Sequence, residues 1–153
     1  MPAQEKKAGR IVVGVDGSAP GDTALRWAVR QADLTGASVD AVIVWEYPAA
    51  LGGYGMAPVP MYDDNDFPAI AEKTVTEAIS NAVDPASHVR VRPQVIEGSA
   101  ALALLKAAEG ADLLVVGSRG HGGFAGALLG SVSQHCVHHA HCPVVVIRGH
   151  REG

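Results

Sequence analysis

Four short stretches of the chain consist almost entirely of apolar residues, many of them β-branched; they span residues 10–16, 39–45, 112–117 and 143–148. Because polar residues hardly interrupt them, each pattern predicts a strand covered on both faces, as in a parallel sheet. A fifth stretch, residues 89–95, alternates valines with polar residues and predicts a strand with one wet face. Pro93 within it indicates a sheet edge, since proline donates no ladder hydrogen bond.

Helical spacing of apolar residues separates these strands. The first helix is predicted to begin at Ser18, whose hydroxyl can cap it, with Pro20 in the first turn and Gly36 at its end. Three further helices are predicted at residues 71–82, 99–110 and about 130–141. The alternation of strands and helices predicts an α/β fold, an open parallel five-stranded sheet with helices on both faces.

Residues 46–67, between the second strand and the second helix, are rich in Gly, Pro and Asp and have no periodicity. They predict a long surface loop, and a loop of this length in a compact domain is usually functional or mobile. Four aromatic residues flank or occupy it, and they either stack on a ligand or cover the end of the sheet. We favour the covering role for these residues, which are Trp45, Tyr47, Tyr54 and Tyr62.

The composition narrows the class of protein. The chain has 153 residues with no linker pattern, so residues 1–153 are expected to form one domain with a core at about 9–149. With a net charge of −4, the chain lacks the positive electrostatic field expected of a dedicated nucleic-acid binder. No apolar run approaches the roughly 20 residues that span a bilayer, and the first residues lack the apolar segment of a secretory signal. We therefore expect a cytoplasmic protein without nucleic-acid or membrane partners, with Cys136 and Cys142 as free thiols.

Two strand ends carry the candidate chemistry. The first strand ends at Asp16, and the fourth ends in the glycine-rich segment 117–120, followed by residues 130–133 at a helix start. In open α/β sheets, ligands bind beyond the carboxyl ends of strands. Glycines let the backbone approach a ligand, and a helix N-terminus attracts anions. The pattern predicts a phosphate cradle.

Two familiar phosphate motifs do not explain this pattern. A P-loop needs a lysine after its second glycine, and none follows here. Residues 120–125 match the dinucleotide pattern GxGxxA, but the acidic ribose-binding residue expected about 20 positions later is missing. We therefore do not expect NAD.

The spacing G-x2-G-x9-G-[S/T], met by Gly117, Gly120, Gly130 and Ser131, resembles the signature of the ATP-binding branch of the universal stress proteins. The resemblance covers nearly the whole chain, including the segments IVVGVDGS, DLLVVGSRG and LLGSVSQHCVHHAHCPVVVIR. It implies strand order 3-2-1-4-5 and a ligand site between strands one and four.

The resemblance also implies a role for each matching position. Gly14, Val15 and Asp16 would lie near the adenine, the ribose or the metal end of the nucleotide, and Val44 would contact adenine. A second group would wrap the ribose and phosphates, and a third would hold the phosphates through backbone N–H and hydroxyl groups. The second group is Val116, Gly117, Arg119 and Gly120, and the third is Gly130, Ser131, Val132 and Ser133.

The function implied by the resemblance is that of a homodimeric regulator of stress responses, which binds ATP with Mg²⁺ near Asp16 and dimerises through the last strand. Two alternatives stay open: a slow ATPase, and a binder of cyclic AMP or another adenylate. Efficient hydrolysis needs a positioned water and strong charge neutralisation. Asp16, Arg119 and His121 offer fragments of that machinery, but no lysine and no clear base stand beside the loop.

Several of these residues also have plainer interpretations. In the plainer interpretation, Asp16 caps the Gly17-Ser18 turn without contacting a ligand, and Arg119 is a solvated loop residue. The His- and Cys-rich segment 135–142 suggests a metal site, since residues three or four apart share a helix face. We favour packing there, with the cysteines as small buried residues, and expect no metal held by side-chain clusters.

Overall fold

A computed structural model describes residues 9–46, 66–119 and 129–148. Strands and helices alternate strictly along these segments, as the hydrophobic pattern predicts. None of the helices in these segments is long and apolar enough to cross a membrane. The elements are β1 Arg10–Val15, α1 Ala19–Thr35, β2 Ser38–Trp45, α2 Asp66–Ala82, β3 Val91–Glu97, α3 Ala100–Ala107, β4 Leu113–Gly117, α4 Ser131–His139 and β5 Val144–Ile147.

The strands form one sheet in the order β3-β2-β1-β4-β5, and every neighbouring pair is parallel. The predicted strand order is therefore confirmed. From β1 the chain moves outward through β2 to β3, and then returns to place β4 and β5 on the other side of β1. The direction reverses between β1 and β4, so their carboxyl ends border a crevice at this edge of the sheet.

Helices cover both faces of the sheet, which confirms the predicted layers. On one face, α1 and α2 contribute Leu25 and Val75 to a core that contains Val13. On the other face, Leu104 of α3 and Cys136 of α4 pack with Val12. Adjacent residues of β1 thus enter different cores, because side chains alternate across a strand.

The first helix has the ends predicted for it. The Ser18 hydroxyl accepts a hydrogen bond from the Gly21 N–H at 3.2 Å, and Gly36 has φ of 77° at the C-cap. Several boundaries differ from prediction: α3 ends at Ala107, short of the predicted 110, and β3 spans Val91–Glu97 where 89–95 was predicted. Helix α2 begins at Asp66, inside the segment predicted as loop, because a proline in the first turn costs no hydrogen bond. Helix α4 ends at His139, short of the predicted 141, because Ala140 already has extended backbone, with φ of −67° and ψ of 146°.

Strand β3 lies at the edge of the sheet, as Pro93 predicts. The prediction of one wet and one buried face is wrong in part. Val95 is 37% exposed, whereas Ile96 packs against the α3 and α4 core and Arg92 binds a buried carboxylate. The cause is that helices cover both faces of the sheet, so Val91 packs against the α1 and α2 core while Ile96 packs on the opposite face.

Asp40 of β2 supplies the buried carboxylate, which the hydrophobic pattern does not reveal. It is 1% exposed and pairs with Arg10 at 3.1 Å and Arg92 at 3.0 Å. The Arg10 guanidinium also donates to the carbonyls of Ala107, at 3.0 Å, and Glu109, at 2.7 Å. These bonds join three strands to the end of α3, at the sheet edge opposite the crevice.

Candidate functional site

A cavity of about 280 Å³ lies at the carboxyl edge of the sheet, where the strand order reverses. Eleven of the twelve residues predicted for the ligand site line it, and Gly120 lies outside the described residues. That these residues hold a ligand stays a prediction. The lining is Gly14, Val15, Asp16, Gly21, Val42, Val44, Ala100, Leu104, Val116, Gly117, Arg119, Gly130, Ser131, Val132 and Ser133.

Four lining residues were missed by sequence reasoning: Gly21, Val42, Ala100 and Leu104. The strand period gives a signal for Val42, since residues two apart share a face and Val44 was already predicted. The two residues of α3 give no such signal, because only the packing of α3 over β1 and β2 brings them to the cavity. Together with the valines they form an apolar wall.

Two glycines of the cavity lie where elements pack closely. A Cβ built on Gly14 would stand 3.0 Å from the Leu104 side chain, and one on Gly117 would stand 3.1 Å from backbone and side-chain atoms of Pro20. The absence of a side chain at position 117 therefore lets the end of β4 meet the start of α1. Gly130 has φ of −73°, which any residue adopts, so only a close approach would require glycine there.

The segment leaving β4 and the start of α4 are bonded to each other. The Ser118 carbonyl accepts the Gly130 N–H at 2.6 Å and the Ser133 hydroxyl at 3.0 Å. The same hydroxyl lies 3.0 Å from the Gly130 carbonyl, and Ser133 is 2% exposed. A hydroxyl has one proton. The Ser133 hydroxyl is thus committed to the backbone, and a ligand can receive a hydrogen bond from Ser133 only through its N–H.

The start of α4 gives the cavity a positive end. The first N–H groups of a helix have no acceptor within the helix, and the helix dipole adds partial positive charge there. In α4 these groups belong to Ser131, Val132 and Ser133, all of which line the cavity. The exposed Arg119 stands on the same rim. This end suits an anion.

Asp16 contributes the one carboxylate among the described residues that line the cavity. Its Oδ1 accepts hydrogen bonds from the Ser18 N–H, at 2.9 Å, and from the Ser18 hydroxyl. The turn-capping role of Asp16 is therefore confirmed. The side chain is exposed at the rim, so a carboxylate and an anion-binding helix terminus share one cavity.

The residues of the His- and Cys-rich segment lie apart from this cavity. Both cysteines are free and pack against the α3 and α4 core, which confirms their packing role. Burial raises the pKa of the Cys136 thiol to about 11, with a smaller contribution from nearby Cys142. Within residues 9–46, 66–119 and 129–148, no group of three or more His, Cys, Asp or Glu side chains is placed to hold a metal ion.

Trp45 covers the end of the sheet, as the sequence interpretation favours. Its ring stacks on Phe67, with centroids 6.4 Å apart and planes 4° from parallel, and it packs against the α1 and α2 core. The three tyrosines considered with it, Tyr47, Tyr54 and Tyr62, lie outside the described residues.

The chain is similar in sequence to a known protein family. Residues 7–148 match the family model described as "Universal stress protein family". A universal stress protein of Mycolicibacterium smegmatis (strain ATCC 700084 / mc(2)155) is 36% identical over 146 residues, which cover 91% of this chain and 48% of that protein. The chain spans about half the length of the curated relatives it matches.

Solved structures share the fold. A universal stress protein crystallised in complex with cAMP superposes with a TM-score of 0.68 at 25% identity, covering 92% of this chain and 97% of that one. The universal stress protein from Archaeoglobus fulgidus in complex with dAMP has a TM-score of 0.62 at 21% identity, covering 92% and 98%. At that lower identity the likeness bears on the fold alone.

Proposed function

Because the chain belongs to the universal stress protein family, we propose that its cavity binds an adenine nucleotide and that the ligand is ATP with Mg²⁺. The bound nucleotide sets the state of a regulator in stress responses. In this proposal all twelve predicted site residues, including Gly120, contact the nucleotide. The adenine lies towards Val44 and the phosphates lie towards Gly130.

The observation that carries the proposal is the division of the cavity into an apolar wall and an anion-binding end. Val42, Val44 and Leu104 offer the wall, which suits a flat heteroaromatic base. The N-terminus of α4 and Arg119 offer the opposite end, which suits phosphates. The bonds between Ser118, Gly130 and Ser133 hold that end in place before a ligand arrives, so little ordering is needed on binding.

The donor set at the rim fits Mg²⁺ held together with a nucleotide. Magnesium takes oxygen ligands and is commonly bound through one or two carboxylates plus substrate phosphates. Asp16 supplies a carboxylate on the lining of the same cavity. Asp16 would hold the ion, which would neutralise phosphate charge when bound.

Cyclic AMP is the second candidate ligand. The neighbour crystallised with cAMP is 25% identical over nearly the whole chain. An adenine wall serves either nucleotide, whereas a single cyclic phosphate needs less positive charge than a triphosphate. The relative affinities of ATP and cyclic AMP therefore separate the two candidates.

Slow ATP hydrolysis is the enzymatic alternative. Phosphoryl transfer requires neutralisation of the transferring group and an oriented water. The lining within the described residues has no lysine, and its charged side chains are Asp16 and Arg119. We therefore propose a binding protein whose hydrolysis is weak at most. Prolonged incubation with radiolabelled ATP tests this, and turnover that Asp16→Ala abolishes would favour the enzyme.

The proposal extends to the assembly and its location. Strand β5 pairs only with β4 within the described sheet, and its four residues, Val144–Ile147, are partly exposed. An apolar strand edge of this kind favours pairing with a second chain. We accordingly propose a cytoplasmic homodimer through β5, with nucleotide occupancy read by a further protein, and no nucleic-acid or membrane partner.

Calorimetric titration of the purified chain with ATP and with cyclic AMP, each with and without Mg²⁺, tests the proposal. We expect Arg119→Gln to weaken ATP binding by about 10-fold or more, since a charge-assisted hydrogen bond contributes about 1.5–3 kcal/mol. Arg30→Gln is the matched control, because Arg30 is exposed on α1 and does not line the cavity. Absence of ATP binding in the wild type, or equal losses in both variants, would refute the proposal.

A further inference from the structure

Helix α4 carries a pair of histidines that the proposed nucleotide site does not use. His135 and His139 are both exposed, and their ring centroids lie 4.5 Å apart with planes tilted by 39°. They are four positions apart, so they stand on successive turns of one helix face. His138, three positions after His135, also lies within reach on a helix, but the structure places His139 against His135.

The two rings are close enough for one metal ion to bind both. A metal–nitrogen bond of about 2.1 Å places a metal about 3.2 Å from the centre of an imidazole ring. Two such rings at right angles around one metal have centres about 4.5 Å apart, and a tetrahedral angle separates them by about 5.2 Å. Cu²⁺ and Ni²⁺ favour such a right angle over the tetrahedral angle of Zn²⁺, and the observed 4.5 Å between ring centres meets the spacing that the right angle requires.

The surroundings of the pair favour a cation. His138 and His139 form the last turn of α4, where the helix dipole places partial negative charge. His139 also lines a neighbouring surface cavity with His141, Lys106 and Glu109, and the opposite charges of Lys106 and Glu109 offset each other. Both imidazoles face solvent, so a metal can arrive with its own waters and keep them in the remaining coordination positions.

We propose that His135 and His139 form a two-imidazole chelate for a square-planar divalent metal, Cu²⁺ or Ni²⁺. The sequence interpretation expected no metal here, and the described residues offer no third protein ligand. The site therefore binds metal through two nitrogens, with water completing the shell. Because the chelate links adjacent turns of a nine-residue helix, metal binding also stabilises α4.

Calorimetric titration of the chelator-treated full chain with NiCl2, and separately with CuCl2, tests the site. Both His135→Gln and His139→Gln are expected to weaken metal binding by at least about 10-fold. Loss of a residue that only supports a metal ligand already costs about 10- to 100-fold in affinity, and loss of a ligand should cost no less. His138→Gln is the matched control, since it is exposed on the same helix and outside the pair, and its affinity should stay within about 3-fold of wild type.

Electron paramagnetic resonance of the Cu²⁺ complex supplies an independent measurement. Nitrogen hyperfine splitting should report two imidazoles in the wild type and in His138→Gln, and fewer in the other two variants. Circular dichroism verifies that every variant is folded. Metal affinities that are equal in all four proteins, or a loss in His138→Gln as large as that in His135→Gln, would overturn the proposal.

Discussion

Replacing Ser133 with alanine separates a structural role of this residue from a direct contact with phosphate. The change removes a hydroxyl that lies 3.0 Å from two carbonyls, those of Ser118 and Gly130. Neither carbonyl loses its last partner. The Ser118 carbonyl keeps the Gly130 N–H at 2.6 Å, and the Gly130 carbonyl keeps the Gln134 N–H at 2.9 Å.

The magnitude follows from this arrangement. Because no buried carbonyl is left without a donor, Ser133→Ala should lower the free energy of unfolding by only about 1 kcal/mol, the net value of one hydrogen bond. The dissociation constant for ATP should rise by less than about 3-fold, as the lost proton never pointed to the ligand. Ser131 has an exposed hydroxyl on the cavity rim. Ser131→Ala should therefore leave stability unchanged and weaken ATP binding by about 10-fold.

Urea unfolding and calorimetric ATP titration measure the two quantities on the same preparations. We expect a crossed result, in which Ser133→Ala changes mainly the unfolding midpoint and Ser131→Ala changes mainly the affinity. The reverse result, with Ser133→Ala as stable as wild type yet binding ATP more than about 10-fold more weakly, would refute the assignment of its hydroxyl to the backbone.

Two further predictions concern the core. Asp40→Asn should lower the free energy of unfolding by about 2 kcal/mol, less than the usual loss for a broken buried pair because Arg10 keeps its two carbonyl partners; urea unfolding measures it, and an unchanged midpoint would contradict it. The raised pKa of Cys136, about 11 against an ordinary 9.0, means that the unfolded chain loses this proton first as pH rises. Stability should therefore fall between pH 9 and 11, and Cys136→Ala should lessen the fall; equal pH profiles would contradict this origin.

Much of the fold was predictable because local patterns and handedness act together. Continuous apolar runs predict parallel strands. The N-cap at Ser18 and the C-cap at Gly36 are found at the positions that the sequence predicts. The placement of most predicted site residues at the cavity could also be predicted without knowing how the helices pack. Strand ends and helix starts, such as Asp16 and Ser131, reach the carboxyl edge of a parallel sheet by topology alone.

Other features depend on contacts between residues far apart in the chain, and no local pattern encodes them. In the sequence, Asp40 is only a polar residue within an apolar strand. Its role is visible in the structure, where Arg10 and Arg92 of other strands pair with the buried carboxylate. The sequence predicts that Gly117 allows close approach of a ligand, but the absence of a Cβ there also makes room for Pro20. The sequence thus determined which segments meet at the crevice, and the tertiary structure decided which of their polar groups still face it.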